Sequence, residues 1–225
     1  MLDYENEYLA KGCKYIAGID EAGRGPLAGP VCAAAVILPA NIDIPGLNDS
    51  KKLTDRKRRE LFPIICEKAV AYGIAFADHK EIDEINILQA TYLAMERAIA
   101  KLTVKPEFAL IDGNRAKDFG LPIETVVGGD GRSASIAAAS ILAKVTRDDY
   151  MLEMANIYPQ YGFEIHKGYG TKAHYEALTA FGPSPIHRRT FLHNFNIRKD
   201  IIFYFELSEN YCKIYNKNSE LADNN

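Results

Sequence analysis

Three short apolar segments, far apart in the chain, each run into acidic residues. Residues 15–19 lead to Asp20 and Glu21, residues 108–111 lead to Asp112, and residues 125–127 lead through a glycine turn to Asp130. Segments with a helical spacing of apolar residues lie between them. Strands that alternate with helices predict an α/β fold in which a sheet is covered by helices, and ligands collect at the strand ends. We therefore expect these acids to converge at one edge of a sheet.

The remaining elements follow from local patterns. The uninterrupted apolar run at residues 31–38 predicts a strand buried on both faces. Thr54 is a suitable N-cap for a helix over about residues 55–70. Further helices are predicted at residues 1–14, 81–102, 133–154 and 174–181, a strand at residues 72–77, and a glycine- and aromatic-rich loop at residues 158–171. One catalytic domain over residues 1–198 is predicted, followed by an extension at residues 199–225 that is partly helical or disordered.

Composition limits the possible functions. A net charge of -3 argues against a protein that coats nucleic acid indiscriminately, although it leaves room for a local basic groove. The four cysteines are far apart and form no C-x-x-C pair, which is typical of reduced thiols in a cytosolic protein. The N-terminus has no signal-peptide pattern, so a cytoplasmic location is expected. The histidines are not at metal-ligand spacing on a helix, and we expect each to be a surface or hydrogen-bonded residue.

Four converging carboxylates have a specific chemical requirement. Ionised side by side, they repel one another, and a divalent cation removes that repulsion. Oxygen ligands with no histidine or cysteine among them favour Mg²⁺ or Mn²⁺ over zinc. Two such ions about 3.5–4 Å apart are the usual arrangement for in-line attack on a phosphodiester. The acids therefore favour a two-metal phosphodiesterase.

Ordinary explanations remain open at this stage. An isolated Asp-Glu pair at a strand end is commonly no more than a polar turn. The basic start of the predicted helix, with Lys51, Lys52 and the cations of residues 56–59, is either a solvated helix face or a phosphate-facing patch. The glycines at positions 23, 25 and 29 do not have dinucleotide-binding spacing, and no P-loop motif occurs.

Taken together, these segments resemble the bacterial type of the ribonuclease HII family. The matching segments are GIDEAGRGPLAGPV at 18–31, LNDSKKL at 47–53, LIDGN at 110–114, GGDGRSASIAAASILAKVTRD at 128–148, YGFEIHKGYGT at 161–171 and HRRTF at 187–191. They extend over nearly the whole chain up to residue 191, in order and at compatible spacing.

The resemblance implies an RNase H-like fold, with a central mixed sheet flanked by helices and additional helices toward the C-terminus. It also implies an endonuclease that cuts the RNA strand of RNA/DNA hybrids and incises at ribonucleotides embedded in duplex DNA. Cleavage is expected on the 5′ side of the ribonucleotide at the RNA–DNA junction, leaving 5′-phosphate and 3′-hydroxyl ends. Ribonucleotide excision repair and DNA replication are the implied settings.

By position, the resemblance also implies roles for particular residues. The metal-binding and catalytic carboxylates are Asp20, Glu21, Asp112 and Asp130. Backbone groups of Gly23, Arg24 and Gly25 would read the ribose 2′-hydroxyl, since only glycine lets a backbone approach a sugar closely.

Other matching positions concern the rest of the substrate. Tyr169 would stack on the deoxyribose that follows the ribonucleotide. The expected phosphate contacts are Lys51, Lys144 and Arg188, with Ser50 and Thr171 as further candidates.

The chain departs from the family pattern at two places. Thr190 replaces a common serine, and residues 194–225 match no family motif. That tail is unlike the clamp-binding peptide of archaeal relatives, so we do not expect a sliding-clamp contact. A monomer is expected as well. Only 14 residues precede the first predicted strand, which argues against the related ribonuclease HIII branch.

Two alternatives remain. A structure-selective DNA nuclease would use the same acids but would not need the glycine-arginine-glycine element or Tyr169. A non-catalytic hybrid-binding protein would be expected to lack at least one of the acids, and all four are present.

Overall fold

The computed structural model describes residues 1–193, and its centre is a five-stranded sheet with the order β3-β2-β1-β4-β5. The strands are β1 (Ile16–Ala22), β2 (Val31–Ile37), β3 (Ala71–Ala77), β4 (Phe108–Asp112) and β5 (Ile123–Val126). β2 is antiparallel to β1 and β3, whereas β1, β4 and β5 are parallel to one another. The predicted mixed α/β architecture is confirmed. The carboxyl ends of β1, β4 and β5 therefore meet at one edge of the sheet.

The helices are α1 (Asp3–Ala10), α2 (Asp55–Lys68), α3 (His79–Ala100), α4 (Ala134–Ile157), α5 (Phe163–His166) and α6 (Lys172–Phe181). Thr54 caps α2 as predicted, because its side chain accepts a hydrogen bond from the Lys57 amide. The capping box of Asp78 and Glu81 starts α3 two residues earlier than predicted. The predicted loop at 158–171 contains the short helix α5 and a 3₁₀ turn at Pro159–Tyr161.

The helix α4 packs closely on β1 and β2. Ala138 and Ala139 of α4 share a fully buried cluster with Ala34 of β2. At Gly18 of β1, an added Cβ atom would lie 2.1 Å from the carbonyl carbon of Ser135. Only glycine permits that approach, because the neighbour is helix backbone and cannot move aside.

One expectation about β1 is wrong. The strand continues to Ala22, so Asp20 and Glu21 lie inside it, paired with Ala34 and Ala33 of β2, and not at its end. The pairing with β2 keeps these residues extended. The two acids still point to opposite faces, as alternation requires. Asp20 shares the face of Gly18, which is the face that α4 covers.

The chain divides into two compact units. The first contains Met1–Gly25 and Pro30–Tyr150, and the second contains Pro26–Gly29 and, of the described residues, 151–193. The predicted domain boundary at residue 198 and the predicted extension at 199–225 lie outside the described residues. Among residues 1–193, no helix is both long and apolar enough to cross a membrane.

Candidate active site

Asp20, Asp112 and Asp130 are positioned by neighbouring parts of the sheet edge. Asp112 is the last residue of β4, and the parallel register of Ile19 with Ile111 sets Asp20 level with it. Asp130 lies in a 3₁₀ turn that follows β5. The amide of Gly129 donates a hydrogen bond of 2.7 Å to Asp112 Oδ1, which ties that turn to the end of β4.

The carboxylates of this edge influence one another. Burial raises the pKa of Asp20 well above its usual value, and the charges of Glu21 and Asp112 raise it further. Burial also raises the pKa of Glu21 and of Asp130, with Asp112 adding to both. Asp20 is only 4% exposed. The cluster therefore concentrates negative charge in a poorly solvated place and favours a bound cation.

Lys51 brings one positive charge to this cluster from a distant loop. Its ammonium group lies 3.3 Å from Asp130 Oδ2. Burial acts to lower the pKa of Lys51, but the charge and hydrogen bond of Asp130, together with the charges of Asp20 and Asp112, outweigh this effect and the pKa is raised. The loop is fixed by a 2.6 Å hydrogen bond between the hydroxyls of Ser50 and Ser140, and by Asp49, whose side chain accepts from the Lys51 amide.

The donor set fits a hard divalent cation in its chemistry. Its members offer only carboxylate oxygens, which suit Mg²⁺ or Mn²⁺. Within residues 1–193, no three histidine, cysteine or acidic side chains are gathered closely enough to hold a metal as they are placed. The raised pKa values of Asp20, Glu21 and Asp130 support the fit: burial is the main cause of each, and the charge of Asp112 adds to all three, so a cation among these carboxyls would favour their ionised forms.

The predicted glycine-arginine-glycine element directly follows β1. Gly23 is buried with φ +95°, and an added Cβ atom would lie 1.9 Å from Nε of Arg147. That guanidinium is itself buried and donates to the carbonyl of Pro30 at 3.0 Å. Arg24 is exposed and lies 3.4 Å from the carboxylate of Glu21. The shape of this turn therefore depends on Arg147, one turn of α4 beyond Lys144.

Lys144 is held in place by an acid. Its ammonium contacts both carboxylate oxygens of Asp148, at 2.5 and 2.6 Å. Burial lowers the pKa of Lys144, and the interaction with Asp148 opposes that effect. Lys144 is thus a partly buried cation with a fixed partner on the next turn of its helix.

The second unit contains the other predicted substrate residues. Tyr169 is 44% exposed, and Thr171 caps α6 by accepting from the amide of His174. Arg188 is fully buried, and its Nε atom donates to the carbonyl of Gly29 at 2.9 Å. Arg188 therefore has a structural partner in addition to its predicted role as a phosphate contact.

The sequence patterns missed several residues that shape the site. Asp49, Ser140, Arg147 and Asp148 fix the loop of Lys51, the turn of Gly23 or the side chain of Lys144. Glu5 is buried and accepts hydrogen bonds from the hydroxyls of Ser133 and Ser135 and the amide of Ser135, at the start of α4. Asp49, Ser140, Arg147 and Asp148 lie within the segments at 47–53 and 128–148 that resemble the ribonuclease HII family, so the sequence marked these segments but not the contacts of these side chains.

The fold is shared with solved ribonucleases H. Ribonuclease H2 from Pyrococcus horikoshii OT3 has a TM-score of 0.67 at 28% identity, with 85% of this chain and 99% of that chain covered. The ribonuclease HII of Archaeoglobus fulgidus, solved in a complex with PCNA, also has a TM-score of 0.67, at 25% identity, with 82% and 97% covered. Bst-RNase HIII, solved with Mn²⁺, has a TM-score of 0.58 at 20% identity, with 75% and 63% covered, and supports the fold alone. The predicted RNase H-like fold is therefore confirmed.

Sequence comparison narrows this class to one family. The family model for ribonuclease HII matches residues 17–194. The ribonuclease HII of Endomicrobium trichonymphae is 59% identical over 193 residues, or 85% of this chain and 91% of that protein. The ribonuclease HII of Clostridioides difficile strain 630 is 54% identical over 191 residues, or 85% and 75%. The chain belongs to the ribonuclease HII family, and it is a ribonuclease H, a hydrolase.

Proposed function

We propose that this ribonuclease H incises duplex DNA on the 5′ side of an embedded ribonucleotide, at the RNA–DNA junction, and also cuts the RNA strand of RNA/DNA hybrids. The products would carry 5′-phosphate and 3′-hydroxyl ends. The observation that supports the proposal is that the charge of Asp112 acts on the carboxyls of both Asp20 and Asp130, with the ammonium of Lys51 beside Asp130. Family membership supports the same activity.

The carboxylates of Asp20, Glu21, Asp112 and Asp130 would hold two Mg²⁺ or Mn²⁺ ions. Such ions, when bound, supply charge stabilisation and a water activated for in-line attack on the phosphodiester. The residues fit this task because burial raises the pKa of three of the four carboxyls, and a bound cation would favour their ionised forms.

The cationic side chains suit phosphate contact. The Lys51 side chain is 78% exposed although its ammonium touches Asp130, so it can reach a substrate phosphate without leaving the site. Lys144 is less exposed and is oriented by Asp148. Such contacts position a duplex without reading its sequence. Ser50, Thr171 and Arg188 would contribute through the segments that they fix.

Discrimination between RNA and DNA would come from two elements. The turn at Gly23, Arg24 and Gly25 would read the 2′-hydroxyl of the ribonucleotide with its backbone, and Arg147 holds that turn in place. The exposed ring of Tyr169 would stack on the following deoxyribose. A DNA-only nuclease would have no use for a 2′-hydroxyl sensor.

Repair of ribonucleotides in DNA during replication, in the cytoplasm and as a monomer, remains the proposed setting. The Archaeoglobus relative was solved in a complex with PCNA. The expectation of no clamp contact here rests on residues 194–225, which lie outside the described residues, and it stays a prediction.

The test is cleavage of a labelled DNA duplex that carries one ribonucleotide, with Mg²⁺, with Mn²⁺ and with chelator. We expect incision 5′ to the ribonucleotide with either ion, none with chelator, and none on an all-DNA duplex. Asp20→Asn should reduce the rate about 1,000-fold or more, because several kcal/mol of charge stabilisation depends on the ions. Binding of the duplex should persist, because Lys51 and Lys144 remain.

The matched control is Asp118→Asn. Asp118 is an exposed acid whose side chain accepts from the Gly120 amide, outside the carboxylate cluster. It makes the same chemical change and should leave the rate near that of wild type. Full activity of Asp20→Asn, or cleavage of the all-DNA duplex at a comparable rate, would contradict the proposal.

A further inference from the structure

Three buried imidazoles lie together beneath the loop that carries Tyr169. His166, His174 and His187 are 8%, 0% and 2% exposed. The rings of His166 and His174 stack at 4.4 Å, and Phe163 lies within 6 Å of all three ring centres. No element of the proposed chemistry uses this cluster.

The hydrogen bonds of His187 and His174 fix where their protons lie. The amide of Ser184 donates to Nδ1 of His187 at 2.8 Å, and the hydroxyl of Ser184 lies 2.8 Å from the same atom. An amide nitrogen can only donate, so Nδ1 of His187 is an acceptor and the proton of the neutral ring sits on Nε2. That Nε2 atom is 2.9 Å from Nε2 of His174, which must therefore accept. The proton of His174 then sits on Nδ1, 2.9 Å from the carbonyl oxygen of Tyr169.

This arrangement of hydrogen bonds favours the neutral form of both rings. A cationic His187 would direct a second proton at the donating Ser184 amide, and a cationic His174 would face the N–H of His187. Burial lowers the pKa of His174 to about 4, which agrees with this assignment. His166 is fixed separately, since its Nε2 contacts the carbonyl of Tyr161 and its Nδ1 accepts from the Gly168 amide.

The chain of hydrogen bonds ends at the Tyr169 carbonyl, where further contacts hold the backbone. The Tyr169 carbonyl also accepts from the amide of Thr171 at 2.8 Å, and the Tyr169 amide donates to the carbonyl of His166 at 2.9 Å. The preceding Gly168 has φ +84°, and an added Cβ atom would lie 2.7 Å from the carbonyl oxygen of Ala28. The backbone of Tyr169 is thus fixed while its ring is 44% exposed.

We propose that His187 and His174 are positioning residues, which hold the Tyr169 ring through an ordered chain of hydrogen bonds from the Ser184 amide to the Tyr169 carbonyl. By holding the Tyr169 ring, this chain of hydrogen bonds sets the preference of the enzyme for the nucleotide that follows the ribonucleotide. This second statement rests on the proposed contact of Tyr169 with the deoxyribose. The proton order of the chain does not, and it is testable separately.

Nitrogen NMR of protein labelled with ¹⁵N-histidine tests the proton order. Long-range ¹H–¹⁵N correlations at pH 7 should show His187 neutral with its proton on Nε2 and His174 neutral with its proton on Nδ1. The signals are assigned by single substitutions, and exposed His193 provides the comparison. A cationic ring at either position, or a proton on Nε2 of His174, would overturn the inference.

Two substitutions of His174 test the positioning role. His174→Phe keeps a ring but removes the donor to the Tyr169 carbonyl, whereas His174→Asn retains an N–H donor near the Nδ1 position. The readout is kcat/KM on a duplex with one ribonucleotide divided by kcat/KM on a uniform RNA/DNA hybrid. We expect His174→Phe to lower this ratio about tenfold, in line with one lost buried hydrogen bond, and His174→Asn to restore most of it.

A double-variant cycle with Tyr169→Ala separates the possible causes. If His174 acts through Tyr169, His174→Phe should cause no further loss of the ratio when Tyr169 is already alanine. Additive losses, or equal slowing on both substrates, would overturn the positioning role. An unchanged ratio for Tyr169→Ala alone would instead refute the proposed contact of Tyr169, while the NMR result would still stand or fall on its own. Should His174→Phe fail to fold, the cycle is run with His187→Phe, which removes the donor to Nε2 of His174.

Discussion

Replacing Gly23 with alanine is expected to destabilise the protein by about 2.5–5 kcal/mol, for two separable reasons. The left-handed φ of +95° costs an L-residue roughly 1–2 kcal/mol. The new Cβ atom would also lie 1.9 Å from Nε and 2.3 Å from Cδ of Arg147. That side chain would have to leave its hydrogen bond to the Pro30 carbonyl, and losing a buried bond from a charged donor costs about 1.5–3 kcal/mol.

The assay is urea unfolding followed by circular dichroism, with Gly120→Ala as the matched control. Gly120 also has a positive φ, +73°, but an added Cβ atom there meets nothing within 4 Å. Its substitution should cost only the backbone strain of about 1–2 kcal/mol. In an Arg147→Ala background, Gly23→Ala should lower the free energy of unfolding by only this backbone strain of about 1–2 kcal/mol.

Two results would refute this reasoning. One is an equal cost for the two glycine substitutions in the wild-type background. The other is an undiminished cost of Gly23→Ala when the guanidinium of Arg147 has been removed. Either result would mean that Arg147 does not determine the conformation of the turn that follows β1.

Three further predictions concern stability. Gly18→Ala should cost about 3 kcal/mol or more by urea unfolding, since its Cβ would meet unyielding helix backbone, and a cost under 1 kcal/mol would contradict the close packing of α4. Glu5→Leu should lower the free energy of unfolding by about 3 kcal/mol, because three donors at the start of α4 lose their acceptor. The control Glu7→Leu removes only an exposed ion pair and should cost under about 1 kcal/mol. Equal melting temperatures of the two variants would contradict this prediction. The pKa of His174 in the folded protein, about 4, lies below the unfolded value of 6.5, so the stability that the neutral ring contributes is lost as the pH falls through this window. Between pH 7 and 5, the free energy of unfolding of wild type should fall by roughly 2 kcal/mol more than that of His174→Asn. Parallel pH profiles of the two proteins would contradict this prediction.

Local signals identified much of the fold correctly. The unbroken apolar run became β2, buried on both faces, and Thr54 caps α2 where it was predicted to. These features depend on neighbouring residues, so a linear pattern contains the information. The errors occurred where longer contacts decide the outcome. Pairing with β2, for example, extends β1 past Glu21.

The acids of the candidate site were identifiable, whereas their surroundings were not. Asp20, Asp112 and Asp130 each follow an apolar strand pattern, and parallel strands place such residues at one edge. Nothing in the local pattern connects Lys51 with Asp130, which is 79 residues away, or Arg147 with Pro30, 117 residues away. Glu5 and Ser133 are 128 residues apart and share no recognisable motif.

The histidines show the same limit. Each was expected to be a surface or hydrogen-bonded residue, and three of them are hydrogen-bonded within one buried cluster. His174 and His187 lie 13 residues apart, on either side of the end of α6 at Gly182 and Pro183, so their spacing in the sequence does not predict that their rings meet.

The sequence alone determined the order of strands and helices, the start of α2 and the identity of the acids, because periodicity and capping act over a few residues. Only the tertiary structure decided which side chains surround those acids and which imidazoles meet. Such contacts arise from the pairing order of the strands and the close approach of α4. Both depend on the simultaneous packing of segments that the sequence keeps far apart.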